Sequence, residues 1–102
     1  MNQIDGHELL KRLQTGEPLN LLDVREEIEY HTYNIGGKNM PLSKFTENLH
    51  QLGYNKTDEI IVICMVGLRS ETAAKMLIEN GYQQARNLKG GLTSLQKIKR
   101  KT

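Results

Sequence analysis

The sequence predicts an α/β fold, a small parallel sheet of about five strands with helices on both faces, and three observations carry that prediction. Residues 59–64, Glu59-Ile60-Ile61-Val62-Ile63-Cys64, form a strand-length run rich in β-branched side chains, apolar from Ile60 onward. A strand covered on both faces reads this way, because neither side of it meets water. Short apolar segments alternate with segments whose apolar residues recur every three or four positions, which places helices between parallel strands. Glycine or proline punctuates most of the junctions. With 102 residues, 37% of them hydrophobic and 25% charged, the chain has the size and composition of one globular domain spanning 1–102.

The elements follow in order. Asp5 is placed to cap a first helix in which Leu9, Leu10 and Leu13 share a face, and Gly16 and Pro18 end it. Residues 19–24 then read as a short buried strand. Glu29 and Tyr30 fall in a short helix at the strand's far corner. The charges near that corner read structurally: Asp23 and Arg25 pair with each other or with neighbouring backbone, and Glu29 is by default surface charge. Residues 34–41 contain two glycines and Pro41, so they form a turn-rich connection with a short strand at 38–40. Ser43 is placed to cap a helix through Phe45, Leu49 and Leu52, which stops at Gly53. After the central strand at 59–64, Gly67 breaks the run, and a helix from Ser70 carries Ala73, Ala74, Leu77 and Ile78 as far as Gly81. Residues 85–88 form a last strand, Gly90 and Gly91 turn the chain, and a closing helix carries Leu92, Leu95 and Ile98.

Several function classes are disfavoured by composition. Net charge is +2, and the one basic cluster, Lys97, Lys99, Arg100 and Lys101, reads as a solvated helix end. Aromatic residues make up only 5% of the chain and do not interleave with the basic ones, so nucleic-acid binding is not expected. The longest apolar run, 60–66, is far too short to span a membrane, and no basic segment followed by an apolar one marks an export signal. A single cysteine forms no internal disulfide, which fits a reducing cytoplasm. His7, His31 and His50 lack ligand spacing, so no metal site is expected.

The chemistry concentrates at Cys64. In parallel α/β sheets, ligands bind beyond the carboxyl ends of the strands, where loops lead into helix N-termini. Cys64 ends the most hydrophobic strand, and Met65, Val66, Gly67, Leu68 and Arg69 separate it from Ser70. A short loop entering a helix can aim several backbone N–H groups at one centre, where the helix dipole adds positive potential. A thiol at that centre is favoured as thiolate, its nucleophilic form. Gly67 supplies the backbone freedom for the curl, and Arg69 a fixed charge for an anionic substrate group. A lone cysteine at a strand end is otherwise a small buried hydrophobe, and the loop is what argues against that plainer role.

These residues resemble the rhodanese family, and the resemblance spans almost the whole chain. Four segments carry it: Leu21-Leu22-Asp23-Val24-Arg25-Glu26 with Glu29-Tyr30; Asn34-Ile35-Gly36-Gly37 with Asn39-Met40-Pro41-Leu42; Cys64-Met65-Val66-Gly67-Leu68-Arg69-Ser70 with Ala73-Ala74; and Gly81-Tyr82 with Asn87-Leu88-Lys89-Gly90-Gly91. The third matches the family's C-x-x-G-x-R-S pattern. The resemblance implies a rhodanese-like fold and a sulfurtransferase. Cys64 takes sulfane sulfur from a donor such as thiosulfate, holds it as a persulfide, and passes it to a thiol, to cyanide or to a protein acceptor. Residues Met65 to Ser70 are then the substrate-binding loop, Arg69 positions a charged donor, and no metal or organic cofactor is required.

Three departures from the family pattern matter. Met65 stands where many active members carry arginine or lysine, which weakens attraction for thiosulfate. Leu95 replaces a tryptophan of the last helix. Asn34-Ile35-Gly36-Gly37 replaces the commoner His-Ile-Pro-Gly-Ala and is similar to rhodanese domains fused to adenylyltransferases, which implies a protein acceptor. Two rival readings share the fold. Phosphatases and arsenate reductases carry a longer loop than the four residues found here between Cys64 and Arg69. Non-catalytic binding modules lack the cysteine or disrupt the loop, and this chain retains both.

Overall fold

A computed structural model describes residues 2–101. Its elements run β1 (Gln3–Ile4), α1 (Gly6–Gln14), β2 (Leu21–Asp23), α2 (Glu27–Thr32), β3 (Lys38–Asn39), α3 (Phe45–Asn48), β4 (Glu59–Ile63), α4 (Leu68–Glu79), β5 (Gln84–Leu88) and α5 (Gly91–Lys101). Two 3-10 turns, Leu42–Lys44 and Leu49–Gln51, flank α3. The strands form one parallel sheet in the order β1-β5-β4-β2-β3. The α/β architecture with a five-stranded parallel sheet is therefore as the sequence predicts.

Period-two alternation along β4 divides the core between the two faces of the sheet. Ile60, Val62 and Cys64 pack with Leu22, Val24, Phe45, Leu52, Ala73, Ala74 and Leu77. Ile61 and Ile63 pack on the other side with Ile4, Leu9, Leu21, Leu88, Leu92 and Leu95. Four consecutive side chains, Ile60 to Ile63, have no exposed area. Each contributes roughly 1.5–3 kcal/mol on leaving water, which is why this strand lies at the sheet's centre.

Several boundaries differ from the sequence expectations for physical reasons. The strand β1 has no counterpart in them, because two residues carry no periodicity; it forms by pairing Gln3 with Asn87 and Ile4 with Leu88. The hydroxyl of Ser43 donates to Glu26 Oε2 at 2.9 Å instead of capping a helix. The helix expected through Leu52 is divided, and Asn48 turns its side-chain amide back onto the Lys44 carbonyl, a local bond that competes with helix propagation. The helix expected from Ser70 begins two residues earlier, at Leu68, because Gly67 adopts φ +95° and caps it. Asp5 caps α1 as expected, accepting from the Glu8 amide at 2.8 Å.

This topology positions the site. From β2 the chain moves outward to β3, whereas from β4 it moves the other way to β5. The carboxyl ends of β2 and β4 thus border the switch point where open parallel sheets bind ligands. Asp23 lies beside Ile63 there, so Arg25 and Cys64 emerge at the same edge.

Candidate active site

The loop after β4 curls its amides around one atom. Cys64 Sγ accepts from the Gly67 amide at 3.1 Å and the Ser70 amide at 3.3 Å, and lies 3.2 Å from Ser70 Oγ. Cys64 itself is fully buried. Gly67 is needed for this path: its φ is +95°, and an added Cβ would lie 3.1 Å from the Gly90 nitrogen.

The opposite side of the loop is held by α5. Leu92 N donates to the Cys64 carbonyl and Thr93 N to the Met65 carbonyl, both at 3.0 Å. These amides belong to the first turn of a helix and have no partner within it. They draw the loop's carbonyls toward α5. The approach depends on Gly91, where a Cβ would stand 2.5 Å from Met65 O and 2.6 Å from Cys64 O. The sequence reading gives Gly90 and Gly91 a turn and a place in the family resemblance, with no link to the cradle; in the fold they let α5 clamp it.

Asn87 is a second residue whose position the sequence reading did not connect with the site. It is buried in β5, accepts from Ser70 Oγ at 2.5 Å through Oδ1, and donates from Nδ2 to the Gly67 carbonyl at 3.3 Å. A serine hydroxyl has one proton to give. While it goes to Asn87, Ser70 Oγ can only accept from the Cys64 thiol, and it must turn to donate to a thiolate.

Arg69 does not stand free at the rim. Its guanidinium forks onto Glu29, with Nη1 to Oε1 at 2.6 Å and Nη2 to Oε2 at 3.0 Å. This pairing pulls the Glu29 carboxyl down to about 2 and raises Arg69 above its ordinary range. Glu29 is therefore corrected from surface charge to the partner of Arg69, and it also accepts from the Glu26 amide at the start of α2. The expected pairing of Asp23 with Arg25 is present: the Arg25 side chain donates to both Asp23 oxygens and to the Tyr33 carbonyl, with both residues buried.

Apart from Arg69, which is held by Glu29, the expected loop residues separate into three groups. Cys64, Gly67 and Ser70 converge on the sulfur. Met65 lines a groove of about 270 Å³ with Arg25, Ile28, Glu29, Thr32 and Tyr33. Val66 and Leu68 are 54% and 71% exposed, so their side chains point to solvent. A larger cavity of about 510 Å³ lies between α1 and α5 and does not reach Cys64. Among the described residues, no three His, Cys, Asp or Glu side chains cluster as metal ligands would, and no helix is long and apolar enough to cross a membrane.

Comparison with known proteins places this geometry. The family model described as "Rhodanese-like domain" matches residues 5–98. The chain belongs to the rhodanese-like domain family. This rhodanese-like domain is 36% identical over 83 residues to "Putative sulfur carrier protein YrkF" of Bacillus subtilis, a match covering 80% of the chain and 44% of the relative. It is 32% identical over 96 residues to "Adenylyltransferase and sulfurtransferase MOCS3-1" of Zea mays, covering 88% of the chain and 20% of the relative. The domain therefore spans less than half the length of either relative. Among solved structures it superposes on a rhodanese-like domain protein from Staphylococcus aureus with a TM-score of 0.82 and 29% identity, covering 93% of this chain and 91% of that one.

Proposed function

We propose that this rhodanese-like domain is a sulfurtransferase in which Cys64 takes up sulfane sulfur as a persulfide and passes it on. The observation that carries this reading is the convergence of the Gly67 and Ser70 amides on Sγ. Donors already aimed at a sulfur stabilise negative charge there without reorganising during the reaction. In the first step, the thiolate attacks the outer sulfur of a donor such as thiosulfate. A Cys64 S–S bond forms, the donor's S–S bond breaks, and sulfite leaves with the electron pair. In the second, an acceptor nucleophile attacks the terminal persulfide sulfur, and Cys64 leaves as thiolate. With cyanide the product is thiocyanate. Neither step requires a metal or organic cofactor.

A protein thiol or persulfide is an equally competent reactant, and the relatives bearing sulfur-carrier and sulfurtransferase names support protein partners. The rival phosphatase reading is weakened by Arg69, because the fork that would grip phosphate is occupied by Glu29. The binding-module reading is weakened by an intact cradle. Intact mass spectrometry after incubation with thiosulfate or an organic sulfane donor is the test. One added sulfur, removed by cyanide as thiocyanate and missing in Cys64→Ser, is expected. A protein that gains no sulfur from any of these donors is not a sulfur carrier at Cys64.

A further inference from the structure

Most of the protein's cations have a partner in the fold. Arg12, Arg25, Lys44, Arg69, Lys75 and Arg86 meet carboxylates, and Lys38 and Lys56 lie over tyrosine rings. Lys89, Lys97 and Lys101 differ: among the described residues, nothing pairs with their ammonium groups. All three line the cavity of about 510 Å³ between α1 and α5.

The walls of this cavity follow from the two helices. Ser94, Lys97, Ile98 and Lys101 recur at spacings of three and four, so they share one face of α5. The helix dipole accounts for a lysine in the last turn of α5, but Lys89 precedes the other end, where the dipole disfavours a cation. On the opposite wall, Gly6 brings the start of α1 so near that an added Cβ would lie 2.6 Å from Ile98 Cδ1. The Gly6 and His7 amides fall in the first turn of α1, ahead of any acceptor within the helix, and add partial positive charge. The one carboxylate of the lining, Asp5, already accepts from the Glu8 amide at 2.8 Å. The lining therefore sets three unpaired lysines against one engaged carboxylate.

We propose that this cavity binds a small anion carrying two or more phosphoryl groups. Its volume falls within the ~300–1,000 Å³ of small-molecule sites, with room for more than a lone phosphate. Lysines meet phosphate oxygens as point charges. Three of them, entering from separate positions on the wall, suit charge spread along a phosphoryl chain better than charge held on one carboxylate. Among the described residues the Ser94 hydroxyl has no partner, and it is free to donate to an oxygen of the same ligand. Binding makes and breaks no covalent bond. Cys64 does not line the cavity, so the site stands independently of the sulfur-carrier reading.

Isothermal titration calorimetry with pyrophosphate tests it, at about 0.15 M salt, where charges more than about 8 Å apart are largely screened. Saturable binding at one site is expected. Citrate, which carries comparable charge on carboxylates, is expected to bind at least about tenfold more weakly. Lys97→Gln is expected to weaken pyrophosphate at least about fivefold. Arg100→Gln removes the same charge from the same helix end without touching the cavity lining, and is expected to weaken it less than about twofold. Both positions are exposed, so both variants should keep the native far-ultraviolet circular dichroism. Amide resonances of Gly6 and Ser94 should shift as pyrophosphate is added. Absence of saturable binding, or shifts confined to residues outside the cavity, overturns the site. Equal weakening by the two variants overturns it as well, since that is diffuse attraction to a basic helix end, and citrate binding as tightly as pyrophosphate overturns the phosphoryl assignment.

Discussion

Ser70 has one proton and two claimants, Cys64 Sγ and Asn87 Oδ1, both within hydrogen-bonding distance. Whether the hydroxyl adds a third donor to the two amides facing the sulfur depends on where that proton points. Asn87→Asp keeps the shape of the side chain but makes it a buried acceptor with negative charge. It holds the Ser70 proton away from sulfur, loses the bond to the Gly67 carbonyl, and repels a thiolate. Alkylation of Cys64 by iodoacetamide at pH 7 is expected to fall at least about tenfold, while far-ultraviolet circular dichroism stays native. An alkylation rate equal to that of the native protein would rule out this role for Asn87. The local part of the cradle was legible in the sequence, since Cys64, Gly67 and Ser70 sit within one loop and its helix entry. Asn87 and Glu29 were not, because their partners Ser70 and Arg69 are 17 and 40 residues away in the chain, and only the folded sheet and α2 bring them together.

At the scale of elements, the cradle is a joint product of β4, α4 and α5. The loop supplies the amides, Gly67 starts α4, and the first turn of α5 holds the carbonyls of Cys64 and Met65. Gly91→Ala tests the last of these. Its φ of +60° alone costs an alanine about 1–3 kcal/mol, and the 2.5 Å approach to Met65 O forces the helix away from the loop. Urea unfolding is expected to show a loss of at least about 2 kcal/mol with an unchanged m-value, and Cys64 alkylation should slow because the amides no longer converge. If stability falls without any change in alkylation, α5 supports the fold and not the cradle. Helices with clear periodicity, α1, α4 and α5, were readable from sequence to within a few residues. The region around α3 was less so, because Asn48 and the 3-10 turns depart locally from a pattern that Phe45, Leu49 and Leu52 otherwise satisfy.

Across the whole molecule, the two ends of the sheet do different electrostatic work. The carboxyl ends of β2 and β4 hold the cradle. At the opposite end, Glu59 opens β4 and lies between Arg12 of α1, at 2.6 Å, and Arg86 of β5, at 3.1 Å. Arg12 also meets Glu17, and Arg86 meets Glu8, so one carboxylate ties α1 and two strands together. Hydrogen bonding to Arg12, with a smaller share from Arg86, lowers the Glu59 carboxyl below its ordinary value of 4.5. A carboxylate lowered in the folded state stabilises the protein fully above its unfolded value, and the gain is lost as pH falls through the folded value. Native stability is therefore expected to decline as pH drops below about 4.5, with Glu59 and Glu29 both contributing. Glu59→Gln leaves Arg12 and Arg86 facing each other across a neutral amide. Because the group is partly exposed, the expected cost at pH 7 is only about 1 kcal/mol. The acid limb of the stability curve should flatten in the variant, since one of the titrating groups is gone. The rate of Cys64 alkylation should not change, because the network and the cradle lie at opposite ends of β4. Urea titrations from pH 3 to pH 7 on both proteins, with alkylation measured at pH 7, decide it: an acid limb as steep in Glu59→Gln as in the native protein would place the acid sensitivity elsewhere, and a slowed alkylation would show that the two ends are coupled through the strand.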